Sequence, residues 1–283
     1  HFLNPIYAKI ADRLKKISRK VVITPWGSDV LRAKKYQLRG LRKLVQKSNW
    51  VTCTQGSRFE KDIVTLLDIP KEKLYNLPIG IASIDEILSR PFITDEQAKR
   101  VWGFEGKYVI VIGYNGSPAH NHIKVIKSLV FMKKQLPTNT ILVCPMTYGG
   151  NPVYRKKIKR LLWNSQFENQ ILENYLTAEE LVCLRKATDL FIHAQNTDAN
   201  SGTIAEYLLC RKKIVNPTWI TYPHYETYGS PFYSFSNFEE LPQAIMKAIN
   251  DTSNKVSPLL TGNISESGWS KLACKWVELY KKY

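Results

Sequence analysis

Two carboxylates, Asp198 and Glu206, stand eight residues apart in the stretch TDANSGTIAEYLLCRKKIVNPTW, with Ser201, Gly202 and Thr203 between them. Small residues at the first turn of a helix leave backbone N–H groups free to face an anion. Ile204, Leu208 and Leu209 would give that helix a buried face. A serine N-cap on an ordinary packing helix fits the same letters, so other parts of the chain must decide between a ligand site and a cap.

Three further segments carry chemistry-bearing side chains. GYNGSPAHNHIK combines a turn at Asn115-Gly116 with Asn121, His120 and His122 at a helix opening. An imidazole there can donate to a phosphate or act as acid or base, although a capping or packing histidine fits equally. PMTYGGNP brings Tyr148 next to paired glycines, and Asp29 follows VVITPWGS, where it is either a cleft acid or an N-cap. No G-x-G-x-x-G, no Walker A loop and no D-x-D pair occurs. Nucleotide chemistry would therefore use helix N-termini and basic side chains, and no metal ligand set or cofactor is expected.

The elements that must hold these residues alternate along the chain. Strands are expected at VVITPWG, WVTCTQ, YVIVIGYNG, TILVCPM, QILENY, LFIHAQ and KIVNPTW, and helices over 120–136, 153–163, 178–188 and 203–211. That rhythm predicts parallel sheets covered by helices on both faces, with ligands beyond the carboxyl ends of the strands. The loops after Tyr108, Thr140 and Leu190 then converge on one edge. NLPIGIASIDEILSRPFITDEQ, with its prolines and weak periodicity, reads as a linker, giving a first lobe over 1–82 and a second over 83–265.

An apolar fraction of 44% in 283 residues supports ordinary globular cores. The longest apolar runs fall far short of the roughly 20 residues that span a bilayer, and no signal-peptide layout opens the chain. Cys53, Cys144, Cys183, Cys210 and Cys274 lie far apart without ligand spacing, which points to reduced thiols and a cytosolic setting. The net charge is +17, and residues 1–50 hold 13 basic against 2 acidic side chains. One helix over 30–48 is expected to carry Leu31, Leu38, Leu41 and Val45 on one face and Arg32, Lys35, Arg39, Arg42 and Lys43 on the next. With the preceding KIADRLKKISRK, this stripe suits an anionic membrane surface, and a solvated face over a core stripe fits it as well.

PWGSD after an early strand, IGYNGSPAHNHI opening the second lobe, CPMTYGGNPVY and the Asp198/Glu206 pair together resemble the GT-B glycosyltransferases. The likeness runs from about Val21 to near the C-terminus and is greatest to bacterial TDP-N-acetylfucosamine:lipid II N-acetylfucosaminyltransferases. The resemblance implies an α/β fold of two Rossmann-like lobes, with the N-terminal lobe incomplete and the chain beginning inside a domain. A final helix over 266–283 would pack back onto the first lobe. It also implies that Glu206 grips the ribose diol, that Asp198 lies by the donor sugar, and that the Ser201, Gly202 and Thr203 amides face the diphosphate. Asn115, Gly116, Asn121, Tyr148 and His122 would complete the donor site, and Asp29 would be the acid of the first lobe. The Arg and Lys that often clamp the diphosphate have no counterpart here beyond Lys124.

The expected activity is transfer of a hexosyl or N-acetylaminosugar unit from a UDP- or TDP-sugar to a polyprenyl-diphosphate-linked saccharide. It would serve bacterial surface polysaccharide synthesis, peripherally on the cytoplasmic face of the membrane, without metal and with no nucleic-acid partner. Two rivals explain parts of the same sequence. A non-catalytic sugar-nucleotide-binding subunit keeps the loops, and a nucleic-acid-binding module explains the charge but not the loops.

Overall fold

The computed structural model describes residues 3–281 apart from Pro5 and Arg19. Its strands are β1 Val22–Ile23, β2 Trp50–Cys53, β3 Leu74–Asn76, β4 Tyr108–Ile112, β5 Thr140–Pro145, β6 Glu168–Leu172, β7 Leu190–Ile192, β8 Lys213–Pro217 and β9 Phe232–Phe235. They form two all-parallel sheets, ordered β1-β2-β3 and β6-β5-β4-β7-β8-β9. Continuous apolar runs suit such sheets because both faces are covered. Alternation along β4 shows it directly: Val109 and Val111 enter one core, Ile110 and Ile112 the other.

All seven expected strands form. β3 and β9 are additional: each is a short edge strand, and neither Leu-Tyr-Asn nor an aromatic run after Pro231 carries the β-branched signal of the central strands. The segment read as a linker contains helix Ala82–Leu88 and the start of helix Asp95–Trp102. Its overlooked signal is a capping box at Thr94-x-x-Gln97, where each residue bonds the other's backbone N–H. Ile84 and Ala98 are fully buried in the core of the larger sheet.

The single basic helix expected over 30–48 is two helices, Ser28–Leu31 and Lys35–Lys47. Lys34 between them is extended, and its N–H donates to Gln37 Oε1 at 2.7 Å, which starts the second helix afresh. Arg32 therefore leaves the stripe: it donates to the Thr197 hydroxyl at 3.0 Å and the Thr197 carbonyl at 3.3 Å, across to the larger sheet's loops. Arg42 pairs with Asp68 and the Leu66 carbonyl.

The last helix runs Trp269–Lys281, and Leu272, Trp276 and Leu279 pack against Leu77 and the side chains of Val22, Trp50 and Tyr75 from the smaller sheet. Trp276 donates its indole N–H to the Pro78 carbonyl at 3.1 Å. Lys282 and Tyr283 of the expected helix, and Arg19 of the first basic segment, lie outside the described residues. No helix among the described residues is long and apolar enough to cross a membrane.

The two sheets' loops meet at Gly27, whose φ of +115° disfavours any side chain and whose added Cβ would stand 2.5 Å from Ala199 Cβ. Gly27→Ala is expected to cost about 1–3 kcal/mol from backbone strain plus overlap. In urea titrations, adding Ala199→Gly should restore only the part due to overlap, and full recovery in the double variant would mean the backbone is not strained there.

Candidate active site

In the six-stranded sheet the chain winds outward from β4 in one direction through β5 and β6, and in the other through β7, β8 and β9. Ligands in such sheets bind at that reversal, beyond the carboxyl ends of the two central strands. The loops leaving β4 and β7 open there, and the loop after β5 joins them. Gly116 donates to the Tyr148 carbonyl at 2.7 Å, and a Cβ on Gly150 would overlap the Gly116 carbonyl, so glycines let these loops cross.

Two adjoining cavities fill the space between this edge and the smaller sheet. One, of about 380 Å³, is walled by Thr24–Trp26, Thr52–Thr54 and Pro78–Ile81 on one side and by Asp198–Thr203 and Glu206 on the other. The second, of about 530 Å³, is bounded by Trp26, Arg32, Asn115, Tyr175, Gln195 and Thr197. Trp26, Tyr114, Tyr148, Asp198 and Ala199 line both. The structure thus brings together Asn115, Tyr148, Asp198, Ser201, Gly202, Thr203 and Glu206.

Ser201 precedes the helix Gly202–Leu209 without a side-chain cap bond. The helix therefore turns its N-terminus to the cavity with the serine hydroxyl uncommitted to it. One turn on, the Glu206 carboxylate is buried and held by Arg185 Nε at 2.6 Å and by the Ser83 hydroxyl. Asp198 accepts from Tyr222 and from the Ala199 N–H at 3.0 Å. Burial, and then the Asp198 carboxylate, push the Tyr222 hydroxyl well above the ordinary phenol range, so it stays a donor. Tyr148 and Tyr175 lie face to face at the mouth of the second cavity, 6.2 Å apart and nearly parallel.

Four expected site residues do not reach the cavities. Asp29 is buried, and its carboxylate accepts the N–H groups of Leu3, Trp26 and Gly27 at 2.8–3.1 Å. With both oxygens committed to backbone donors it shapes a turn and has no free lone pair directed at the cleft. His122 is fully buried behind Gly113, its Nδ1 3.2 Å from the Tyr154 hydroxyl. Asn121 sits at φ +54° and spends its amide on the Ala194 carbonyl and Asn196 Oδ1, tying the β4 loop to the β7 loop. Gly116 serves the loop crossing. Trp26, Arg32, Tyr114 and Tyr175 line the site without having been expected there; each lies within a few residues of a strand end or the WGSD segment.

No family model matches the chain, and the search of curated proteins found no relative. Among solved structures, the chain is similar to Anabaena HepE in complex with UDP-glucose, with a TM-score of 0.74 at 15% identity over 99% of this chain and 77% of that one. It is also similar to sucrose-phosphate synthase from Thermosynechococcus elongatus, with a TM-score of 0.71 at 14% identity over 98% and 71%. WaaG, a glycosyltransferase involved in lipopolysaccharide biosynthesis, gives 0.66 at 15% identity over 97% and 81%. At these identities the likeness is one of fold: two parallel α/β units facing each other, the GT-B arrangement.

The buried histidines set a pH limit on this architecture. Burial lowers His122 and His224 to about 4, and burial together with His122, His193 and Arg32 lowers His120 well below its usual range. A folded-state value below the unfolded one means that unfolding takes up protons. The stabilisation is complete above about 6.5 and is lost as pH falls towards 4, each histidine contributing up to about 1.4 kcal/mol per pH unit. Urea midpoints should drop between pH 7 and pH 5, and His122→Gln should flatten that slope by about one proton. A midpoint unchanged over this range would mean the rings are not buried neutral.

Proposed function

We propose that the protein is a nucleotide-sugar glycosyltransferase, and the observation that carries this reading is the convergence of Asp198, Glu206 and the N-terminus of helix Gly202–Leu209 at the switch point of a GT-B fold. The HepE structures hold UDP or UDP-glucose, which supports a UDP-sugar as donor here, with a TDP-sugar as the near relative. In this reading Glu206 accepts from the ribose hydroxyls and the Ser201, Gly202 and Thr203 amides face the diphosphate. The bond from the anomeric carbon to the diphosphate oxygen breaks, the acceptor hydroxyl oxygen bonds that carbon, and the hydroxyl proton leaves with the released nucleoside diphosphate. Charge gathering on the leaving diphosphate is met by the positive end of the helix, so activity in the presence of a chelator is part of the proposal.

The acceptor in this reading is a polyprenyl-diphosphate-linked saccharide at the cytoplasmic membrane face, as in surface polysaccharide assembly and in the N-acetylfucosaminyltransferases that the sequence resembles. The charge of +17 supports an anionic surface as partner. The face that would meet it keeps part of the stripe read from the sequence, without Arg32 and Arg42. Lys35, Arg39 and Lys43 remain exposed on helix Lys35–Lys47, and helix Tyr7–Ile17 adds Lys9, Arg13 and Lys16 beside exposed Ile10 and Ile17.

Thermal shifts with UDP-, TDP- and GDP-sugars test the donor. One nucleotide class should stabilise the protein by about 2.7 kcal/mol at 100 times its dissociation constant, and no shift with any of them would overturn the reading. Glu206→Gln should weaken that nucleotide by about 1.5–3 kcal/mol in calorimetry, at a temperature where the variant is folded, because the change also unpairs Arg185. For the membrane, co-sedimentation with anionic vesicles should fall steeply as the Debye length shrinks from about 10 Å at 0.1 M salt to about 3 Å at 1 M. Equal binding to neutral vesicles would remove the electrostatic contribution, and tight, salt-sensitive RNA binding would favour the nucleic-acid rival.

A further inference from the structure

Asp198 is held from more than one side. Its Oδ2 accepts the Tyr222 hydroxyl, and His193 Nε2 lies 3.7 Å from the same oxygen. Which nitrogens of His193 carry protons follows from its opposite edge. Asn216 donates through Nδ2 to the Pro217 and Ile220 carbonyls at 3.1 and 2.8 Å, so the atom facing His193 Nδ1 at 2.9 Å is Asn216 Oδ1. An acceptor at that place requires a proton on Nδ1.

Nε2 is then either a bare lone pair or a second N–H. A bare lone pair would be buried without a partner and aimed at a carboxylate oxygen, which leaves an acceptor desolvated beside another acceptor. A second proton removes both penalties and lets the gap close to the about 2.8 Å of a charge-assisted bond. The groups facing the ring are Asp198, Tyr222, Tyr114 and Phe191, with His120 behind Tyr114. Tyr222 and Asn216 are themselves buried, so the chain Asn216–His193–Asp198–Tyr222 has one exit, the Asp198 carboxylate lining both cavities.

We propose that His193 is a positioning residue for Asp198. Its Nε2–H and the Tyr222 hydroxyl hold the carboxylate aimed into the cleft, where it accepts hydrogen bonds from hydroxyls of the transferred sugar. This rests on the glycosyltransferase reading. With these donors on its buried side, Asp198 presents the rest of its carboxylate to the cavities and binds the sugar there.

His193→Gln keeps a nitrogen donor towards Asp198, whereas His193→Phe keeps ring volume and has none. The UDP dissociation constant should be equal in wild type and both variants by calorimetry. With UDP-glucose as probe, His193→Phe should raise KM roughly tenfold to hundredfold, the equivalent of one hydrogen bond to a charged group, with a smaller change in kcat, and His193→Gln should recover most of it. Nitrogen-15 NMR of the wild-type protein should show protons on both His193 nitrogens. An unchanged KM in His193→Phe, or an unprotonated Nε2, would overturn the proposal. Failure of UDP to bind the wild type would instead count against the glycosyltransferase reading, and the NMR result would still decide His193. If His193→Phe does not fold, the NMR result decides.

Discussion

The buried ion pair between Glu206 and Arg185 is the contact on which the site's geometry rests. Taking a carboxylate and a guanidinium out of water costs several kcal/mol per ion, and their attraction roughly offsets this, so the pair adds little net stability. Its effect is on position. Glu206 belongs to helix Gly202–Leu209, Arg185 to helix Ala178–Ala187, and Ser83, which also donates to Glu206, to helix Ala82–Leu88. The helices of Glu206 and Arg185 are thereby locked in register, because a shift of either would strand a buried charge at a cost of about 3–5 kcal/mol, and Ser83 ties the third to them. The helix whose N-terminus faces the cleft cannot slide or rotate without breaking that lock.

Around this pair the polar groups divide into those that build the loops and those that face the cavities. Asp29, Asn121 and His122 look like chemistry in the sequence because acids, amides and imidazoles after strands are what catalysts are made of. The same side chains are also what a tight loop needs to satisfy backbone groups turned away from water. Asp29 spends both oxygens on N–H groups and Asn121 spends its amide on the neighbouring loop. Asp198 differs in that its donors, Tyr222 and the Ala199 amide, come from behind it and leave it bordering both cavities.

The fold was legible where periodicity was strong. Central strands such as YVIVI and TILVCP announce themselves because burial on both faces demands uninterrupted apolar runs. β3 escaped because a three-residue edge strand needs few such residues, and helix Ala82–Leu88 because seven residues show just under two turns of period. The Asp198/Glu206 spacing was legible because both acids flank one helix start. Arg185, Ser83 and Tyr222 were not, because their partnership with those acids exists only after helices distant in sequence have packed together.

Net charge was the least transferable signal, because lysines here often close helices. Lys73 Nζ donates to the carbonyls of Val45, Gln46 and Ser48 at the end of helix Lys35–Lys47. Lys133 does the same for Ser165 and Gln166, and Lys213 for Ile249 and Asp251, at the ends of helices Pro152–Ser165 and Leu241–Asn250. A cation at a helix C-terminus satisfies carbonyls with no intrahelical donor and complements the negative end of the dipole. Each such lysine adds to the formal charge without offering itself to a partner. In the proposed reading an anionic surface would meet exposed cations such as those on helices Tyr7–Ile17 and Lys35–Lys47, and a count of Lys and Arg overstates the field that surface would feel.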